Sequence, residues 1–170
     1  RDIDDYEGAI AGFTDAIRLR PGWAEAYHER GLTHRVAGNY EQAIRDQTEA
    51  IRRKPNYAEA FHDRGRAYHF SDDYERAIAD YTETIRLKPD YAEAYYNRGL
   101  TFQLTEAYDR AIADYSETIR LQPDYVDAYC GRAISCYLTG DYEQAIADYD
   151  EALRLKPGWA EVYYNRGLAY

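Results

Sequence analysis

The side chains able to hold a metal are four histidines and two cysteines, and their spacing argues against a site. His28 and His62 lie 34 residues apart, and His69 follows His62 by seven. A metal centre needs three or four converging ligands, each steadied by a second layer of hydrogen bonds. His34, the fourth histidine, falls on the apolar stripe of its segment, so no such set is expected and no cofactor with it. Cys130 and Cys136 share one segment. If it is helical they stand about 9 Å apart along its axis, too far to bridge. They read as free thiols, with Cys136 a small apolar filler. No nucleophile–base pair, no glycine-rich phosphate loop and no convincing catalytic carboxylate pair is present, so the chain reads as a non-enzyme.

Other charged residues recur with a fixed step. Glu25, Glu59, Glu93, Asp127 and Glu161 repeat every 34 residues. Arg30, Arg64, Arg98, Arg132 and Arg166 do the same, as do Asp46, Asp80, Asp114 and Asp148. The acidic series fits helix capping, since Asn56, Asp90 and Asp124 stand three residues earlier, with Gly22 and Gly158 at the same place. The competing reading is an acidic stripe for a basic ligand. The arginines and aspartates fit a ladder between antiparallel helices, or arginines that face a groove and bind carboxylates.

The elements behind these series are copies of one unit. Pro21, Pro55, Pro89, Pro123 and Pro157 mark its recurrence. In the third copy, Tyr95, Gly99 and Phe102 keep helical spacing before a break at Glu106 and Ala107. Tyr108, Ala111, Ile112, Tyr115, Thr118 and Ile119 then form a second amphipathic stripe, which Gln122-Pro123 ends. Each unit is therefore helix A, turn, helix B, turn. Gly31, Gly65, Gly99 and Gly167 occupy position 8, where Ala133 replaces glycine once. Glycine inside a helix costs about 1 kcal/mol against alanine, which predicts a close approach of helix B at Ala43, Ala77, Ala111 and Ala145. Asn39, Asp73 and Asp141 are placed to cap helix B, and Ala107 is not, so the third turn is expected to be the weakest.

The pattern resembles the tetratricopeptide repeat family, whose 34-residue unit reads Trp-x2-Leu-Gly-x2-Tyr, then Ala-x3-Phe, then Ala, then Pro. Tyr95, Arg98, Gly99, Phe102, Ala111, Tyr115, Thr118 and Pro123 follow it, with arginine in place of leucine in all five copies. The resemblance implies an all-α fold, a right-handed superhelical α-solenoid of antiparallel helix pairs. Residues 1–170 read as one domain: a partial repeat over 1–23, full repeats over 24–57, 58–91, 92–125 and 126–159, and a partial one over 160–170. It also implies a concave groove lined by helices A, which bind a protein or peptide segment. By position those groove residues are His28, His62, Arg66, His69, Tyr96, Asn97, Leu100, Gln103, Cys130, Ile134, Tyr137, Tyr164, Asn165 and Leu168, with Val36, Phe70, Leu104 and Leu138 beside them. The lysine and asparagine of the family's chaperone-type carboxylate clamp are missing, so that clamp is not expected. Two alternatives are an accessory domain that positions substrate for a larger enzyme, and head-to-tail self-association. For the latter, Phe13 and Ile17 at one end and Tyr163 and Tyr170 at the other leave core-type residues without a polar cap.

Composition narrows the partners. With 31 acidic and 21 basic residues the net charge is −10, which disfavours nucleic acid and anionic membrane surfaces. No apolar run approaches the roughly 20 residues that cross a bilayer. Free thiols fit a reducing compartment such as the cytoplasm.

Overall fold

A computed structural model describes residues 5–170. Within them lie ten α-helices and no strand: α1 (Tyr6–Leu19), α2 (Ala24–Val36), α3 (Tyr40–Arg53), α4 (Ala58–Phe70), α5 (Tyr74–Leu87), α6 (Ala92–Leu104), α7 (Tyr108–Leu121), α8 (Val126–Thr139), α9 (Tyr142–Leu155) and α10 (Ala160–Ala169). Even-numbered helices are of type A and odd-numbered ones of type B. By contacts the chain divides into two compact units, one ending at Pro89 and the other beginning at Asp90. In the first, α2 pairs with α3 and α4 with α5, while α1 and α3 each pack on the A helix that follows. In the second, α6 pairs with α7 and α8 with α9, and α7 and α9 pack on α8 and α10. Turns of two or three residues within each pair make the helices antiparallel.

Local chemistry explains where the helices stop. Lys54, at the end of α3, is pulled to φ −134°, ψ 85° by the proline after it, and Lys88, Gln122 and Lys156 repeat that geometry. The A-to-B turn needs a residue in the left-handed region. Gly38 and Gly140 supply it at φ 78° and 87°, but Asp72 and Glu106 must adopt 58° and 59° with a side chain attached. Asp73 and Asp141 cap α5 and α9 by accepting from the amides of Arg76 and Gln144.

Two capping expectations fail. Asn39 sits at the cap of α3 but its side chain makes no cap bond. Helices A begin one residue later than a capping box requires: the cap residues are Tyr57, Tyr91 and Tyr125, none with a side-chain cap bond. Glu59 is thus the second residue of α4, too early to reach back to Asn56. The recurring acid instead meets a lysine at the far end of helix B, Glu25 to Lys54 at 3.2 Å and Glu59 to Lys88 at 3.5 Å, and lends its charge to the helix N-terminus.

The cores are built from small residues and rings. Ala43, Ala77, Ala111 and Ala145 are fully buried. The position 8 glycines nevertheless face a different neighbour. A methyl group on Gly65 would lie 2.9 Å from Tyr81 Cε1, and one on Gly99 would lie 3.1 Å from Tyr115 Cε1. The close approach is between helix A backbone and the ring four residues beyond the alanine, with Gln47 taking the ring's place against Gly31. Gly167 has open space instead.

Glu106 and Ala107 combine a strained left-handed residue with a missing cap. Glu106→Gly and Ala107→Asp should each stabilise the protein by about 1 kcal/mol. Urea unfolding followed by circular dichroism would show this as higher midpoints at an unchanged slope.

Candidate functional site

In the second unit α8, α9 and α10 enclose an open depression of about 260 Å³ lined by Ile134, Tyr137, Leu138, Tyr149, Asn165 and Leu168. Five of these stand on helices A at positions expected to line a groove. Tyr149 comes from helix B and was missed. It shares its register with Tyr81 and Tyr115, where a tyrosine reads simply as core. Here too the ring is buried, and burial pushes its phenol up to about 12. Ring and aliphatic surface thus form the floor, and Leu138 and Leu168 form exposed walls. Tyr164, also on α10, is the most exposed of the expected groove residues at 69%.

Farther back in the same unit the side chains are committed to one another. Tyr96 leans on Tyr125 at 4.9 Å and on Tyr115 at 5.9 Å. Burial pushes its phenol up to about 12, helped by Asp127. Tyr115 Oη donates to Gln103 Oε1 at 2.7 Å. Gly131 leaves room for that ring, since a methyl group there would lie 2.5 Å from Tyr115 Cζ. Asn97, Leu100 and Cys130 are half-buried. Burial holds the Cys130 thiol up at about 11, so at neutral pH it is an apolar wall rather than a nucleophile.

In the first unit the expected groove histidines turn inward, which corrects the reading of His28 and His62 as groove residues. His28 is buried: its Nδ1–H donates to Gln47 Oε1 at 2.9 Å, its ring lies 4.9 Å from Tyr57, and Nε2 is 3.8 Å from Asp63 Oδ2. His62 is 2% exposed and tilts against Tyr81. Their place on helix A faces neighbouring helices, where an imidazole fills an aromatic-sized space. Arg66 and His69 remain half-buried, and burial depresses the His69 pKa. Among the described residues no three His, Cys, Asp or Glu side chains converge as metal ligands, and no helix is long and apolar enough to cross a membrane.

Comparison with known proteins agrees with this architecture. A tetratricopeptide repeat model matches residues 24–57 and another matches 92–125. A further TPR repeat model matches 71–106 and 134–170. The chain belongs to the tetratricopeptide repeat family. No curated protein sequence matches it. Among solved structures, that of MamA is 27% identical, covers 92% of each chain and superposes with a TM-score of 0.86. YrrB, described as a TPR protein with an unusual peptide-binding site, is 20% identical over 93% of this chain and 81% of its own, at 0.83. A tetratricopeptide repeat protein of Parabacteroides merdae ATCC 43184 is 22% identical over 98% and 66%, at 0.84.

Against the tetratricopeptide pattern, the arginine in place of leucine now has a structural account. Arg64 on α4 grips Asp80 on α5 with a two-pronged bond, Nε to Oδ2 at 2.7 Å and Nη2 to Oδ1 at 2.8 Å. Its third nitrogen, Nη1, donates to Thr48 Oγ1 on α3 at 3.1 Å. Arg30 repeats this with Asp46 and Thr14, and Arg132 with Asp148 and Ser116. Arg98 holds Asp114 by the same fork, whereas Arg166 reaches Asp150 instead. Arg30, Arg64, Arg98 and Arg132 tie their own repeat together, and Arg30, Arg64, Arg132 and Arg166 each reach the preceding helix B. Burial pushes the Asp80 carboxyl up and Arg64 opposes it. The pair therefore offsets its own desolvation more than it adds net stability.

Removing one partner alone exposes that imbalance. Asp80→Ala should cost about 3 kcal/mol, and the double change Arg64→Leu with Asp80→Ala should cost clearly less. A double-mutant cycle on urea unfolding measures the difference.

Proposed function

We propose that this protein is a non-catalytic scaffold that binds a protein segment on the exposed face of its A helices, with the α8–α10 depression seating an apolar anchor. The observation that carries the reading is the distribution of exposed apolar surface. Val36 and Phe70 in the first unit, and Leu104, Leu138, Tyr164 and Leu168 in the second, all stand on helices A and are half exposed or more. Helices B turn mainly charged and polar side chains to solvent, such as Glu83 with Arg86 and Glu151 with Arg154, with Leu19 and Tyr142 at helix ends as exceptions. An apolar stripe beside amide groups suits an extended or helical segment with hydrophobic anchors. A surface held by short turns and buried forks adds little ordering cost of its own to binding. Membership of the tetratricopeptide repeat family and the peptide-binding site named for YrrB support the reading.

A second reading, stacking of one copy on another, is favoured by a separate apolar hollow. It measures about 460 Å³ and is lined on α1 by Ala9, Gly12, Phe13 and Ala16, and on α2 by Ala26 between Glu25 and Glu29, with Trp23 just before them. The exposed Tyr163 of α10 and Tyr170 just past its end are the apolar side chains a second copy would offer to it.

Two measurements test these readings. Peptide-display panning against the protein should enrich sequences with aromatic or aliphatic anchors. These should bind Leu138→Ser/Leu168→Ser at least about tenfold more weakly, because two half-exposed leucines carry roughly that much transfer energy. Peptides indifferent to both changes would move the binding face elsewhere. For stacking, sedimentation at rising concentration should show mass growth that Phe13→Glu abolishes, and a constant monomer mass would end that reading.

A further inference from the structure

Arginine in this protein is normally neutralised at close range. Besides the forks described above, Arg86, Arg120 and Arg154 each hold a glutamate within 2.8 Å. Arg20 and Arg110 lie over the rings of Trp23 and Phe102. Two arginines of the first unit that are not exposed do neither. Arg35, near the end of α2, has a side chain only 11% exposed and comes no nearer to a carboxylate than 3.7 Å, from Nε to Asp63 Oδ1. That buried Nε has no hydrogen-bond partner among the described residues. Arg66 lies one turn beyond Asp63 on α4, and its guanidinium makes no ion pair or hydrogen bond with any described residue.

The two arginines also feel each other. Burial depresses the Arg35 pKa, and the charge of Arg66 is the next cause. Their one shared carboxylate, Asp63, is itself buried, with its pKa raised by burial, and it is engaged by His28 on its other oxygen. Neither guanidinium has a carboxylate within hydrogen-bond distance, although Glu29 also acts on Asp63. This occurs in a chain whose net charge is −10, where supplying one more carboxylate would need no unusual residue. The equivalents of Arg66 in the other repeats are Leu32, Leu100, Ile134 and Leu168, so an arginine stands in a row that is otherwise aliphatic.

We propose that Arg35 and Arg66 form a subsite for a carboxylate carried by the bound segment, from an acidic side chain or a chain terminus. The inference rests on the groove reading above and deepens it. A planar carboxylate can take paired N–H donors from a guanidinium that has no close partner of its own. Asp63 keeps its place behind the pair and orients Arg35. Within the first unit, the exposed Val36 and Phe70 would meet apolar side chains of the segment beside its acid.

The test separates the subsite from the groove. Arginine Nε–Hε signals of the whole chain would be followed by NMR during titration with sodium glutarate, against sodium chloride at matched ionic strength. Saturable shifts are expected at Arg35 and Arg66 but not in the buried forks, and they should vanish in Arg66→Leu. That substitution restores the residue type of the sister repeats, and Arg66→Gln provides a second variant of similar length. Shifts that merely follow ionic strength would overturn the subsite. Sodium phosphate saturating at much lower concentration than glutarate would overturn its assignment to carboxylate. Peptides enriched on the protein should weaken at least tenfold when their acid is changed to its amide, and C-terminal amidation tells a side chain from a terminus. Peptides that bind equally well after both changes would overturn the subsite and leave the groove reading standing. Glutarate saturation with no peptide enriched would support the subsite and sink the groove reading.

Discussion

A carboxylate buried between two helices must be met by a cation of fixed geometry, and the rest of each repeat follows from that requirement. Asp46, Asp80, Asp114 and Asp148 are all buried on helix B, and each takes both prongs of an arginine from helix A. A guanidinium fork is planar and directional, so it sets the rotation of helix A about its own axis as well as its distance from helix B. With that rotation fixed, position 8 must face helix B closely, and glycine there is what admits the rings of Tyr81 and Tyr115. The opposite side of helix A is thereby turned outward. The fork contributes little net stability for its burial, but a leucine in its place would allow several rotations that the fork forbids.

Much of this was readable before any coordinates, because period is a strong signal. Five prolines at equal intervals and two amphipathic stripes per interval specify helix pairs with little ambiguity, and the observed helices begin and end close to those limits. The finer chemistry was less legible, for identifiable reasons. The spacing of Asn56 and Glu59 matches a capping box, but so does any arrangement that starts one residue later, and only the backbone shows that Tyr57 holds the cap. The histidines were misread because register says which side of a helix a residue takes, whereas burial depends on what the next helix brings. Tyr57 and Asp63 close over His28, and neither lies near it in sequence.

The site shows the same division. Ile134, Tyr137, Asn165 and Leu168 were identifiable because they sit on helices A at groove positions. Tyr149 was not, since a tyrosine on helix B can be core, groove floor or both, and its sequence neighbours do not distinguish these. Gly131 shares the repeat position of Asn97 and Asn165 but has no side chain to offer. Its contribution is an absent side chain, which gives Tyr115 space to reach Gln103. A residue that acts by leaving room carries no signal in its own chemistry, and its meaning comes wholly from the ring that fills the space.

How the charges are distributed then decides what the outward face can recognise. Most arginines are consumed by forks or by glutamates one turn away on helix B, so helix A is left with aliphatic, aromatic and amide groups. A surface of that kind gains affinity from apolar burial but discriminates weakly, because one hydrophobic anchor substitutes readily for another. Discrimination needs polar groups that are costly to leave unmatched. Arg35, whose buried Nε has no hydrogen-bond partner among the described residues, and Arg66 are such groups in the first unit, and Arg66 stands in a register that is otherwise aliphatic. A partner without an acid would have to cover them at a desolvation cost, whereas a partner with one removes that cost. The selectivity of an apolar groove would thus come from the place where the internal pairing of charges stops.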